Sequence, residues 1–231
     1  MASDIFTHRF SCKRAPGISW IRANVRPLDV FVLVNALLFL MMCVFVYYSR
    51  FVAYRGAANI HEFFVYALAI LLAILFLWLH FRRYSFGPGL LLMVQLGILM
   101  HFAGAFVRVD DHRLYDEFLL GIRYDKYVHL VNAFVSALLV RQLFILRRIS
   151  LAGINRLFVV LTVLGLGALV EIVEYLVVNT VRNNGVGGYD NNMQDLIANM
   201  FGATLFLVYL AVRERLASRE ARDRSFPDAA D

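Results

Sequence analysis

The stretch Leu157–Val178, LFVVLTVLGLGALVEIVEYLVV, decides how the chain is read, because it is apolar over nearly its whole length and yet carries the two carboxylates Glu171 and Glu174. A helix that crosses lipid needs ~20 mainly apolar residues, since every backbone amide must be bonded within the segment where no water is present. Five other stretches have the same character: Leu28–Tyr48, Phe63–His80, Phe86–Val107, Tyr127–Leu146 and Leu196–Val212. The last is the shortest, and its polar beginning at Gln194, Asp195 and Asn199 is of a kind tolerated where it faces protein or water rather than lipid. The expected fold is therefore all-α, a polytopic bundle of six spans over residues 28–213. A basic tail, 1–27, precedes it, and a charged tail, 214–231, reads as disordered and solvated.

Composition agrees with a membrane class: 61% of the 231 residues are hydrophobic and only 17% are charged. The two cysteines, Cys12 in the polar tail and Cys43 in an apolar run, are not placed to form a disulfide or a metal knuckle. No small-residue cleavage site follows a short apolar region near the start, so the first span is expected to serve as its own anchor. The net charge of +6 is better explained by orientation than by nucleic acid. About fifteen Lys and Arg side chains fall in the two tails and the loops after spans two and four, against about seven on the other side. That bias predicts both termini in the cytoplasm, and a multi-pass protein of the bacterial inner membrane.

Helix direction then assigns a depth to each polar residue. Spans three and five run outward and spans four and six inward, so His101, Asp125, His129, Glu171, Glu174, Asp195 and Asn199 all fall in the outer half of the membrane. Asn132 and Ser136 continue the stripe begun by Asp125 and His129, at helical spacings of four, three and four. A carboxylate inside the bilayer costs roughly 2.5–3.5 kcal/mol even on lenient scales, so such groups face one another or a wet cavity. One polar pocket, open to the outside, is expected. The inner halves of spans three to six read as apolar apart from Gln95 and Thr162, and spans one and two offer no polar stripe.

Each residue also has a plainer reading. His101 could bond a neighbouring carbonyl on a packing face, and Asp125 and Asp195 could each cap a helix. Asn199 with Gly202 could be interhelical packing, and Arg108, Arg123 and Lys126 could meet lipid head groups at the rim. Asp110, Asp111, His112, Asp116 and Glu117 read as a solvated loop. The Glu171 and Glu174 pair is hardest to dismiss, because adjacent carboxylates in an apolar helix repel unless a proton, a cation or a positive side chain lies between them.

The element Tyr124-Asp125-Lys126-Tyr127-Val128-His129 is similar to the D-[KR]-x-x-H element of VanZ-like membrane proteins, and Asp195-Leu196-Ile197-Ala198-Asn199-Met200-Phe201-Gly202 resembles their D-x-x-x-N-x-x-G element. With His101-x-x-Gly104 and Glu171-x-x-Glu174-Tyr175, the stretch from about 101 to 202 more closely resembles the uncharacterised inner-membrane proteins of the YjdF type. That pattern carries a tryptophan and a glutamine two residues before its final aspartate, whereas here Gln194 adjoins Asp195 and Asn191-Asn192 occupy the preceding stretch, so no role is carried over to Asp190 or Gln194. The resemblance implies a small polytopic membrane protein, with some relatives associated with lowered glycopeptide susceptibility, and supplies no mechanism.

Three functions compete. A metal-assisted hydrolase or transferase would use the histidines and carboxylates on a lipid-linked or envelope substrate, with a divalent metal as the open cofactor candidate. A non-catalytic binder would grip a lipid head group and serve as an envelope-stress or antibiotic-tolerance factor. A proton-coupled transporter would use the Asp, Glu and His series as a relay. Membrane lipids are the expected partners and nucleic acid is not. The sequence leaves substrate, metal and oligomeric state open.

Overall fold

The structure is a computed structural model and describes residues 25–180 and 188–225. Most of the amino tail, Cys12 included, and residues 226–231 lie outside the described residues. Six helices are long and apolar enough to cross a membrane: Pro27–Ala53, Ala57–Phe81, Pro88–Phe106, Tyr124–Leu146, Ile154–Leu176 and Tyr189–Arg222. The six-span all-α bundle read from the sequence is therefore the fold.

The first span combines α1 (Pro27–Met42), a π-helical turn (Cys43–Tyr47) and α2 (Tyr48–Arg55), and it stops at Gly56, whose φ of 81° no helix accommodates. The second is α3 (Ile60–Phe81) and the third α4 (Pro88–Phe106). Pro27 and Pro88 each open a helix, where the missing amide donor is not needed. Leu, Phe and Val side chains such as Phe45, Phe64 and Phe76 stand exposed along α1 to α3, as a lipid-facing surface requires.

Then α5 (Tyr124–Leu146), α6 (Ile154–Thr180) and α7 (Tyr189–Ser225) follow. α5 is the hub: α4, α6 and α7 all pack against it, while α1 to α3 sit at the periphery. Ala133, Ala137 and Val140 of α5 meet Val159, Val160 and Val163 of α6 and Ala203, Phe206 and Leu210 of α7 in a buried apolar core. Small residues let the backbones approach, which matters because lipid is as apolar as the core and close packing must supply the association energy. At Gly202 a Cβ would collide with the Leu130 carbonyl and lie 2.9 Å from the Ala133 Cβ, so glycine is what lets α7 seat against α5.

Polar groups tie the periphery to this unit. Asp29 of α1 accepts from Trp78 Nε1 at 2.8 Å and from Arg82 Nε at 2.9 Å, clamping the first two spans at one end. Deeper in, Asn35 Nδ2 donates to Gln95 Oε1 at 2.7 Å and Gln95 Nε2 donates back to Asn35 Oδ1 at 3.3 Å. The first span therefore does carry a polar group at depth, matched to the Gln95 noticed in the third. The inner half of the fourth span is likewise not purely apolar, since Arg141 lies there, its Nε buried without a hydrogen-bond partner among the described residues.

Three features depart from the sequence reading. α7 starts at Tyr189, so Asn191 and Asn192 lie in its first turn, ahead of the polar beginning at Gln194 and Asp195 read from the sequence. At the other end it runs through 214–225, where the sequence reads as disordered. Arg, Glu, Ala and Leu are strong helix formers, and Glu214 pairs with Arg156 Nη2 at 2.7 Å. The connection from α4 to α5 is also built: β1 (Arg108–Val109) pairs antiparallel with β2 (His112–Arg113), and β3 (Phe118–Leu119) with β4 (Ile122–Arg123).

Candidate functional site

At the end of the bundle that carries these hairpins, α4 and α6 finish and α5 and α7 begin. The polar residues of four helices therefore share one level. A cavity of about 510 Å³ opens there, lined by His101, Asp125, His129, Asn132, Ser136, Glu174, Asp195 and Asn199, with Val163, Leu166 and Val170 of α6 on its apolar wall. From Asp125 to Ser136 the stripe descends about 16 Å along α5, roughly half of a 30 Å hydrocarbon core. Six of the seven residues singled out in the sequence line this cavity. The seventh, Glu171, is buried beside it, with Oε1 3.7 Å from His129 Nδ1.

His129 stands between helices. Its Nε2 is 3.5 Å from Asp195 Oδ1 on α7 and 3.9 Å from Asp125 Oδ1 one turn back on α5, and its Nδ1 faces Glu171 on α6. These separations exceed a formed hydrogen bond, and shifts of under about 1 Å would close them. Both carboxylate oxygens of Glu171 lack a hydrogen-bond partner among the described residues. Glu171 and Glu174 thus take different stations, one behind the imidazole and one on the cavity wall.

Lys126 corrects the reading of a rim cation. It is buried, and its Nζ donates to Asp195 Oδ1 at 2.7 Å, Asp125 Oδ2 at 3.0 Å and Asn191 Oδ1 at 3.0 Å. Asn191 Nδ2 in turn donates to Asp195 Oδ2 at 2.7 Å, and Asn192 Nδ2 reaches the Glu171 carbonyl at 3.2 Å. Neither aspartate caps a helix. The residue ahead of α5 is Arg123, and Asp125 lies inside the first turn, while Asp195 is in the second turn of α7. An ammonium shared by two carboxylates is the arrangement that makes their burial affordable.

Part of the loop belongs to the site: Asp110, Asp111 and His112 are exposed, as a solvated connection requires, whereas Asp116 departs from that expectation. Asp116 accepts from Arg113 Nε at 3.0 Å and Arg123 Nη2 at 2.9 Å, and Arg123 Nη1 donates to Asn191 Oδ1 at 3.0 Å. Tyr115 bonds His101 Nδ1 through its hydroxyl, so His101 engages a phenol and not a carbonyl. The Tyr115 ring lies where a Cβ on Gly104 would fall, 2.6 Å from Cε1, which explains the spacing His101-x-x-Gly104: one residue receives the hydroxyl, the other makes room for the ring. Burial, reinforced by the Asp125 and Glu174 carboxylates, holds the Tyr115 phenol well above the ordinary tyrosine value, so it stays protonated.

Sequence reasoning missed Lys126, Tyr115, Asp116 and Asn191. Lys126 did leave a signal, since it precedes His129 by three and so shares its helix face. Tyr115 and Asp116 left none, because their positions depend on how the loop folds back over α4.

A family model described as "Predicted membrane protein (DUF2238)" matches residues 29–215, and the chain belongs to that family. No curated protein and no solved structure matches it.

Proposed function

We propose that this member of the DUF2238 family admits a membrane-resident amphiphile from the lipid between α4 and α6 and performs acid–base chemistry on its polar end through His129. The observation that carries this reading is the cavity itself, with an imidazole flanked by carboxylates of three helices at one end and an apolar α6 wall along it, in which Val163 is buried while Leu166 and Val170 are exposed. A purely aqueous substrate has no use for that wall, whereas an acyl or prenyl chain does. Histidine can take and return a proton near neutral pH, and Glu171 behind it can stabilise the charged ring. Hydrolysis or group transfer on a lipid-linked or envelope substrate is the reaction class this supports. The excess of basic residues in the opposite loops supports an outward-facing cavity in the bacterial inner membrane. The VanZ-like character of Asp125 to His129 and Asp195 to Gly202 belongs to the same proposal.

A binder without turnover is the second reading, favoured by Arg113 and Arg123, whose guanidinium groups line the cavity mouth and could hold a phosphate. Transport finds less support, because the apolar core from Ala133 to Leu210 fills the bundle below the cavity. Native mass spectrometry of the detergent-purified chain tests the amphiphile. Wild type should retain a lipid-mass adduct that Val170→Trp, which fills the apolar arm, releases. Equal adducts on both proteins would contradict the reading.

A further inference from the structure

Glu171 is 4% exposed, and neither of its carboxylate oxygens has a hydrogen-bond partner among the described residues. A buried carboxylate in that condition costs several kcal/mol unless a group it faces carries positive character. It faces His129 Nδ1. An Nδ1 proton directed at Glu171 leaves the Nε2 lone pair pointing at Asp195 Oδ1 and Asp125 Oδ1, 3.5 and 3.9 Å away. Three lone pairs converging on one space repel unless a proton or a cation sits among them, and the Lys126 ammonium, 2.7 Å from Asp195 Oδ1 and 3.0 Å from Asp125 Oδ2, offsets only part of that charge from one side. Charge points the same way: among the described residues, the carboxylates of Asp116, Asp125, Glu171, Glu174 and Asp195, if ionised, outnumber the cations Arg113, Arg123 and Lys126 by two.

We propose that Asp125 Oδ1, His129 Nε2 and Asp195 Oδ1 bind one divalent cation of the zinc or manganese class, with Glu171 orienting the imidazole from behind. The three ligand groups offer atoms within 4.8 Å of one another, and tetrahedral ligands about 2.1 Å from a metal lie roughly 3.4 Å apart, so small side-chain shifts close the site. One imidazole with two carboxylates suits zinc or manganese better than calcium or magnesium, which favour all-oxygen sets. Each ligand also has an outer partner, as metal sites require: Glu171 for His129, Lys126 for Asp125, and Lys126 with Asn191 for Asp195. The cavity side of the ion is left for water or a substrate oxygen. The inference deepens the hydrolysis-or-transfer reading of the same cavity and rests on it for the ion's purpose; with the ion bound, both nitrogens of His129 are engaged, and water on the ion takes over the proton transfer that the free imidazole would otherwise perform.

The test is a titration of the full detergent-purified chain, stripped with EDTA, with Mn²⁺ followed by electron paramagnetic resonance, and with Zn²⁺ as competitor. About one Mn²⁺ per chain should bind, displaced by Zn²⁺, with histidine nitrogen modulation in the pulsed spectrum. Glu171→Gln should weaken binding about 10- to 100-fold, and His129→Ala should abolish both binding and the nitrogen signal. The wild-type spectrum alone decides the matter if a variant fails to fold. Absence of stoichiometric Mn²⁺, a bound ion without nitrogen modulation, or undiminished binding by a folded Glu171→Gln variant each overturns the site. Because the titration reads the ion and native mass spectrometry reads the lipid, a negative result here beside a lipid adduct released by Val170→Trp would remove the cation and leave the amphiphile reading standing.

Discussion

Lys126 Nζ and Asp195 Oδ1 lie 2.7 Å apart, both side chains buried, and this contact joins the start of α5 to the start of α7. The same ammonium also holds Asp125, so its removal strands two carboxylates at once. Lys126→Met is expected to cost about 3–5 kcal/mol of stability, the range for breaking a buried pair by removing one partner. The double variant Lys126→Met with Asp195→Asn should lose clearly less than the sum of the two single losses. Equilibrium unfolding in detergent measures both, and strict additivity would show that the pair does not interact.

The close approach at Gly202 gives a second prediction. Gly202→Ala should destabilise by about 1–3 kcal/mol, because its new methyl meets the Leu130 backbone, which cannot rotate away. Gly165→Ala on α6, where nothing lies within 4 Å of the added atom, should be neutral or slightly stabilising. Thermal melts of the two proteins should therefore move in different directions from wild type or differ by several degrees.

Tyr115 sets an alkaline limit. Its phenol is held above the ordinary value in the folded protein, so the native state keeps a proton that the unfolded chain releases near pH ~10. Below that pH both states are protonated and stability is unaffected. As pH rises past it the unfolded state binds fewer protons, and stability falls. Tyr115→Phe should remove this contribution, giving a shallower loss of melting temperature between about pH 10 and 11.5. Identical slopes would place the phenol in ordinary solvent.

Much of this fold was legible because lipid imposes simple rules. Segment length and apolarity located the six spans, and alternating direction brought His101, His129, Glu171 and Asp195 to one level without knowledge of any contact. Partners were harder to read. Lys126 resembled a rim cation because hydropathy treats a buried, shared ammonium and a solvated one alike. Asp116 resembled loop surface because its engagement with Arg113 and Arg123 depends on two hairpins of a few residues each. The start of α7 was misjudged because Asn191 and Asn192 look like loop residues until their partners, Lys126 and the Glu171 carbonyl, are in place.

Orientation can be checked with single cysteines in a background lacking Cys12 and Cys43. Leu120, 98% exposed at the tip of the second hairpin, should label with an impermeant maleimide from outside, and exposed Ser218 on α7 should label only after permeabilisation. The reverse pattern would move the cavity to the cytoplasmic leaflet.

The most direct test of the central claim is a mass-spectrometric inventory of lipid-linked species in proteoliposomes made from bacterial lipid extract, before and after incubation with the protein. Wild type should convert at least one amphiphile, His129→Ala should lower the rate by about 100-fold or more, and His129→Ala with Glu171→Gln should be scarcely worse than either change alone. An unchanged inventory with wild type, or full conversion by folded His129→Ala, would contradict the account.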